Sequence, residues 1–474
     1  MRWWMVWVTV AMGCGTNKGP STCFEDADDD GFGDPGSGGV DCATGVEDDS
    51  DCDDTNASVF PGSTAREVPF DGIDTDCDGI DACTDLDCDG LPDLVFAQTD
   101  DGAGNYAIHS AIWLTSGGTF TEPTPLPTVG AMGVDAADFD NDGYIDLVVA
   151  SVQDGTHRDI DSYVFRGTGD GVDPTPWLAV PTIGCADPMA HDLDGDGWVD
   201  LVFANRFAGG DPNLENYSND SLVLWGSPDG FVEETRLPTV GAARSRAADL
   251  DGDGHLDLVF ANGVLETLYA ESPVYWGGPD GYTPDRHTML PSLFPEGLLL
   301  HDLDNDGHTD VLFTSWMCLF DCDLASQVHP GDGNGGFGTP WVLPESVGAV
   351  DVQAADLDAD GHVDLVVANG GVDLATQEFA TESWIYWGSA SGFSDADRTS
   401  LPSTAASEAA IEDIDRDGDL DVVFASHYAP DDGGPEVSQI YWNHAGFDPA
   451  HVTELPTLHA AGMVVVGPRE TALR

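Results

Sequence analysis

Lysine is almost missing from this 474-residue chain. Lys18 is the only one, and Lys and Arg together number 14 against 87 Asp and Glu, for a formal net charge of −73. A phosphate backbone needs a basic partner surface, so nucleic acid is excluded, and a P-loop is excluded because it requires its lysine. Long apolar runs are equally scarce. Trp3 to Met12 is the one clear stretch, ten residues, well short of the roughly twenty a membrane-crossing helix needs. Neither G-x-S-x-G nor H-E-x-x-H occurs, which removes two common hydrolase signatures. No His precedes His109 and no Met lies between Cys14 and Met132, so the N-terminal region lacks the imidazole and thioether ligands that suit copper.

What the chain has instead is aspartate in one pattern, D-x-D-x-D-G-x-x-D, in seven regularly spaced copies from Asp85 onward, with starts 53, 54, 57, 53, 54 and 57 residues apart. A near-fixed period of this size predicts a repeat architecture. The carboxylates are Asp85, Asp87, Asp89 and Asp93 in the first copy and Asp138, Asp140, Asp142 and Asp146 in the second. The third and fourth hold Asp192, Asp194, Asp196, Asp200 and Asp249, Asp251, Asp253, Asp257. The last three hold Asp302, Asp304, Asp306, Asp310, then Asp356, Asp358, Asp360, Asp364, then Asp413, Asp415, Asp417, Asp421. Side chains at positions 1, 3, 5 and 9 would place four carboxylates around one point, and Gly at position 6 allows the sharp turn. Hard oxygen ligands predict Ca²⁺. An EF-hand would need a bidentate Glu at position 12 and a helix beyond it, whereas position 12 is Phe or Val in every copy, as at Phe96 and Val149. The loop therefore joins two strands. Seven Ca²⁺ would add 14 charges to −73 and leave −59, so most of the acidity is a solvated surface.

Residues 1–14 read as a signal peptide, with Arg2 as the basic start and the apolar stretch after it. Ala11-Met12-Gly13-Cys14 resembles a bacterial lipobox, which implies a lipid anchor on Cys14 and no other attachment to a membrane. Residues 15–22 form a polar tether. Residues 23–83 form an Asp- and Cys-rich module too poor in apolar residues for a core of its own, so disulfides and ions must replace one. Cys23, Cys42, Cys52, Cys77, Cys83 and Cys88 allow fifteen pairings, which stay open here. Cys318 and Cys322 are expected to pair locally, and Cys185 to be a buried apolar residue. Asp26, Asp28, Asp30 and Asp34 repeat the loop pattern inside the module. The stretch from Asp51-Cys52-Asp53 to Asp76-Cys77-Asp78-Gly79-Ile80-Asp81 resembles a metal-binding motif of secreted bacterial proteins whose family includes copper-binding ones; the ligands present favour Ca²⁺.

From residue 84 to 467 each repeat runs in one order: Asp loop, apolar strand such as Asp257 to Asn262, variable loop, strand ending near Trp-Gly, tight turn, Leu-Pro segment, and a small-residue strand into the next loop. Four short strands per repeat and seven repeats predict an all-β fold, a seven-bladed β-propeller. The first repeat lacks its small-residue strand, and 462–467 supplies a spare one at the end; pairing them closes the ring and removes two exposed edges. Trp225, Trp276, Trp387 and Trp442 recur on the third strand and should pack between blades. Trp225-Gly226…Gly230-Phe231 and Trp387-Gly388…Gly392-Phe393, with the seven Asp loops, resemble the FG-GAP/VCBS propeller family to which integrin α-subunit heads belong. The resemblance implies Ca²⁺ in the Asp loops and a scaffold role for that face.

The expected function is that of an exported binding or adhesion module, monomeric and without chemistry of its own, anchored at the bacterial outer membrane or cell surface or secreted. A protein or glycan ligand would bind on the face opposite the Asp loops, where the loops vary as binding loops on a repeated scaffold do. Arg206, Tyr217, Arg244 and Trp316 are the candidate contacts, with Asp187, Arg244, Asp351 and Glu408 at the mouth of the channel. A lectin is the first alternative, with Tyr217 and Trp316 as exposed stacking aromatics. A Ca²⁺-dependent hydrolase or lyase is the second, and the scarcity of Lys and Arg speaks against it.

Overall fold

The computed structural model describes residues 23–467 except 29, 34–39, 41–45, 47–49, 54, 62–76, 78–82, 117–118, 208–216, 264–269, 317–324, 345, 347, 371, 374–377, 380–381, 428–435 and 445. The chain divides into two compact units, Met1–Ala82 and Cys83–Arg474. Cys83 thus belongs with the second unit rather than with the Cys-rich module, because it is disulfide-bonded to Cys88 inside the first Asp loop and its N–H donates to the carbonyl of Gly143 in the second. Cys14, Cys42, Asp34, Cys318 and Cys322 lie outside the described residues.

The second unit is a seven-bladed propeller of four-stranded antiparallel sheets. Blade 2 shows the plan: Ala131–Ala137, Asp146–Ser151, Asp161–Phe165 and Leu178–Pro181, from axis to rim. Blades 3 to 7 begin with the inner strands Cys185–His191, Ala242–Ala248, Pro295–His301, Ala349–Ala355 and Ala406–Glu412. Blade 1 takes its inner strand from the far end of the chain. Ala460–Val466 pairs with Asp93–Gln98 in the register Asp93↔Val466 to Phe96↔Met463, so closure follows the sequence expectation, with the strand starting two residues earlier than Gly462.

The second strand of each blade is an unbroken apolar run, and all six of its residues are buried in every blade. Strand alternation explains the run. In blade 1, Val95 and Ala97 pack into the cluster shared with blade 2, whereas Leu94 and Phe96 pack into the one shared with blade 7. The core is accordingly seven clusters, one between each pair of neighbours. The third-strand tryptophans sit at these seams. Trp225 stacks on Tyr282 of the next blade at 5.9 Å, and its Nε1 donates to Thr235 at 3.0 Å. Among the described residues no helix is long and apolar enough to cross a membrane.

Candidate functional site

The Asp loop is a hairpin between first and second strands, and its carboxylates do two jobs. Position 9 is structural. In blade 1, Asp93 accepts the N–H of Leu86 at 2.9 Å and that of Thr115 at 2.8 Å, tying the loop to the end of the third strand. The other six blades repeat this pair of bonds within a few tenths of an ångström, as Asp257 does with Leu250 and Gly277 at 2.9 and 2.8 Å. The bond also explains the Trp-Gly signature, because a Cβ on Gly277 would stand 2.1 Å from the carbonyl oxygen of Leu256. Position 1 holds the turn: Asp85 accepts from the N–H groups of Asp89 and Gly90, both at 3.0 Å. Position 6 is a left-handed glycine in each loop, as at Gly90, φ +84°. Position 4 is left-handed too, at Cys88, Asn141, Gly195, Gly252, Asn305, Ala359 and Arg416.

Positions 1, 3 and 9 converge. Carboxylate oxygens of Asp85, Asp87 and Asp93, and of Asp138, Asp140 and Asp146, come within 4.8 Å of one another. Position 5 accepts from position 7, as Asp142 does from Tyr144 at 3.1 Å, and in the seventh loop Asp417 gathers with Asp415 and His444. Asp87 and Asp140 each keep a buried oxygen without a hydrogen-bond partner. Burial, with repulsion from its neighbours, pushes Asp138 up to about 7 and Asp146 up to about 8. A cation would relieve both costs, so these oxygen-only clusters fit a hard divalent ion. Three loops also carry a basic side chain at the rim: Arg166 on Asp140 at 2.7 Å, Arg286 on Asp253 at 3.4 Å and His444 on Asp417 at 3.0 Å.

In the first unit, Asp26, Asp28 and Asp30 gather likewise, and Asp26 and Asp30 each keep a buried unpartnered oxygen. Asp51 lies beside the Cys52–Cys77 disulfide. Sulfurs bonded to each other offer no thiolate for a soft metal, so the oxygens are the ligands available there.

The opposite face holds a cavity of about 200 Å³ on the propeller axis. It exists because every inner strand carries a β-bulge near its start, where the ladder slips between Ala131 and Gly133 and at the matching point of the other blades. The extra residue is freed from pairing. Met132, Ala186, Ala243, Glu296, Val350, Ser407 and Ala461, one from each blade, line the cavity. Arg206, Trp316 and His427, each just after a second strand, complete its wall. Arg206 is buried and forked onto Glu296, with one bond of 2.7 Å from Nη1 to Oε2. Trp316 stacks on Phe294 at 6.0 Å. Burial, reinforced by nearby His459, pushes His427 down to about 4.

Arg244 lines the cavity and crosses the axis. Its Nη1 lies 3.1 Å from Asp187 of blade 3 and 2.5 Å from Glu408 of blade 7. Burial works against its charge, but Glu408, Asp351 and Asp187 outweigh burial and keep it protonated. The same acids tie blade to blade: Asp187 accepts the N–H of Ser245, Asp351 that of Ala409, and Glu408 that of Met463, at 3.1, 3.1 and 2.6 Å. The aligned axial residues are thus a network that plugs the channel and braces its neighbours.

Of the four expected contacts, Arg206, Arg244 and Trp316 meet at the cavity. Tyr217 does not. It is buried, packed 5.5 Å from Phe207, which in turn lies under the guanidinium of Arg158. It supports the loop and offers no open stacking face. His427 and the bulge residues were not singled out by sequence; their shared place, two residues into each small-residue strand or one past each apolar run, was the available signal.

A profile of the FG-GAP-like repeat matches residues 85–149, 138–203, 192–260 and 302–367, just over half the chain in all. A second, Cu-binding MopE, described as "Putative metal-binding motif", matches residues 51–82. Among solved structures, a chain from BBS1N in complex with ARL6DN, soaked with lead, is 13% identical over 82% of this chain and 91% of that one, TM-score 0.43. The dihydro-heme d1 dehydrogenase NirN in complex with DHE is 15% identical over 86% and 79%, TM-score 0.41. A chain from the Nidogen/Laminin complex is 12% identical over 62% and 89%, TM-score 0.35. Seven four-stranded blades, each carrying the Asp loop, and a repeat profile spanning that share of the sequence make this protein a member of the FG-GAP-like repeat family.

Proposed function

We propose that this protein is an exported, Ca²⁺-stabilised propeller that binds a protein or glycan partner through the face opposite its Asp loops and performs no chemistry of its own. The observation that carries the reading is the axial cavity, walled by seven blades and rimmed by Arg206, Trp316 and His427. A concave site with a few convergent polar groups and an aromatic wall is how ligand sites are usually built. Calcium is favoured over softer ions because the loop ligands are carboxylates alone. Export is favoured by the Cys52–Cys77 and Cys83–Cys88 disulfides, and anchoring by Cys14 in its lipobox-like setting.

The test is a cell-surface and glycan binding screen with purified protein, followed by replacement of residues 208–216 with a short Gly-Ser turn. Arg206, Phe207 and Tyr217 are retained, because Arg206 lines the cavity and the two rings pack beside it. Partner binding should fall at least tenfold while the melting curve stays within a degree or two. Normal binding by this variant and by Trp316→Ala would move recognition away from the face. A lectin is the reading that Trp316 at the wall favours; selective binding of neutral sugars on the screen, lost in Trp316→Ala, would choose it. A diacylglyceryl-modified Cys14 in the mass of the mature N-terminal peptide would establish the anchor, and its absence would leave secretion.

A further inference from the structure

Two imidazoles and two carboxylates gather at the seam where blade 7 meets blade 1, beside the axial cavity and remote from the Asp loops. His459 immediately precedes the closing strand. Its Nδ1 lies 3.1 Å from Oδ1 of Asp100 and its Nε2 lies 3.3 Å from Oε1 of Glu436. The other oxygen of Glu436 accepts the His459 backbone N–H at 2.7 Å. The ring of His427 stands 5.6 Å away at 87°. Side-chain exposure is only 11% for His459, 17% for Asp100 and 13% for Glu436, and among the described residues no lysine or arginine pairs with either carboxylate. Two carboxylates that far from water need positive charge close by.

Each link into an inner strand turns through a left-handed position: glycine in four blades, at Gly130, Gly184, Gly241 and Gly348, φ +56° to +84°, and Phe294, Ala405 and His459 in the other three, φ +48°, +47° and +41°. Gly102 flanks the ring, and a Cβ there would stand 3.2 Å from Nε2.

We propose that His427, Glu436 and His459 bind one Zn²⁺-class d-block cation, with Asp100 orienting His459 and the fourth coordination position open to the axial cavity. The spacing fits. Ligands at about 2.0–2.1 Å from a tetrahedral ion stand roughly 3.3 Å from each other, the separation between Nε2 and Glu436. A metal-bound imidazole typically hands its other ring N–H to a carboxylate, and Asp100, 3.1 Å from Nδ1, is the carboxylate placed to take it. His427 is itself a cavity-lining residue, which aims the open position inward. Two imidazoles and a carboxylate prefer Zn²⁺ or Co²⁺ to Ca²⁺, so the two kinds of site can be filled independently.

The test uses the full chain in millimolar Ca²⁺, which occupies the oxygen-only loops, with Zn²⁺ added in a calorimeter and Co²⁺ followed by its visible absorption. One equivalent should bind, with Co²⁺ bands characteristic of nitrogen ligation. His427→Asn and His459→Asn should each abolish the bands, and Asp100→Asn should weaken Zn²⁺ by roughly 10- to 100-fold while keeping one equivalent. Asparagine tolerates the left-handed region, and His459→Gly, which copies four of the other links, serves if the Asn variant does not fold. His444→Asn, beside Asp415 and Asp417 in the seventh loop, should change nothing. Absence of binding under Ca²⁺ would mean that a protonated His459 alone holds the two carboxylates, and the proposal would fall. It would also fall if the bands survived both His427→Asn and His459→Gly, or disappeared in His444→Asn.

Discussion

On the Asp-loop face the seven blades are nearly interchangeable, and on the opposite face they differ. Position 9 of the loop accepts the same two backbone N–H groups in every blade, at 2.8–3.1 and 2.7–2.9 Å. The residue after the second strand runs Thr99, Val152, Arg206, Gly263, Trp316, Gly370, His427. One face repeats because its side chains are consumed in closing turns that every blade must make. The other varies because the fold asks of it only that the chain return to the axis. Demand from the backbone, rather than distance from a ligand, separates the two.

The largest effect should come from opening the ring on which both faces depend. Deleting residues 460–474 removes the partner of Asp93–Gln98 and the inner wall of blade 1, so cooperative unfolding should be lost and aggregation should follow. A soluble truncation that melts like the parent would make the last strand dispensable. Chelation comes next. Sites of roughly 0.1 to 1 mM affinity contribute about 0.4 to 1.4 kcal/mol each at about 1 mM Ca²⁺, or about 3 to 10 kcal/mol for seven. The melting temperature should fall by many degrees in EDTA, and an unshifted curve would remove the metal from the repeated face.

A paired substitution sharpens the comparison within one loop. Asp93→Ala orphans the buried N–H groups of Leu86 and Thr115 and should cost about 2 to 6 kcal/mol with or without calcium. Asp87→Ala leaves no backbone group unpaired and should cost no more than the roughly 1 kcal/mol its ion supplies, a difference that vanishes in EDTA. Equal losses in both conditions would mean that position 3 is structural as well. The smallest effect concerns a departure within the scaffold. Tyr275 and Tyr386 end their third strands by donating to the carbonyls of Pro238 and Pro344 in the preceding blade, at 2.5 and 2.8 Å. Blade 5 has His329 in that register. Burial holds its pKa below the ordinary 6.5 despite the opposing contact with Pro291. A lowered folded pKa means stability that is full above about 6.5 and is lost as the pH falls below it. His329→Tyr should flatten the stability profile between pH 7 and 5, and parallel profiles for parent and variant would show that His329 carries no such penalty.

Seven blades, the face assignment and the closing strand were legible because the Asp loop is a local motif with a fixed period and strand alternation does the rest. Asp187, Arg244, Asp351 and Glu408 were legible as an aligned set near the axis. That Arg244 would reach across to Glu408, and that the acids would brace the neighbouring blade, was not, since both depend on packing between residues as many as 164 positions apart. Tyr217 misleads for the same reason: an aromatic in a variable polar loop looks exposed until Phe207 and Arg158 are brought over it. Cys83–Cys88 was one of fifteen possibilities until the loop's left-handed position 4 placed the two sulfurs together.

The bulge that opens each inner strand breaks the rotational symmetry of the propeller without touching its frame. A side chain left out of the ladder can be exchanged while every hydrogen bond around it stays as it was. A ring of seven equal residues would admit a guest in seven equivalent poses, and such a guest would be held but not aligned. Reading around the axis, this ring is Met132, Ala186, Ala243, Glu296, Val350, Ser407 and Ala461, with one acid, one hydroxyl and one long thioether at unequal intervals, so whatever enters meets a single preferred orientation.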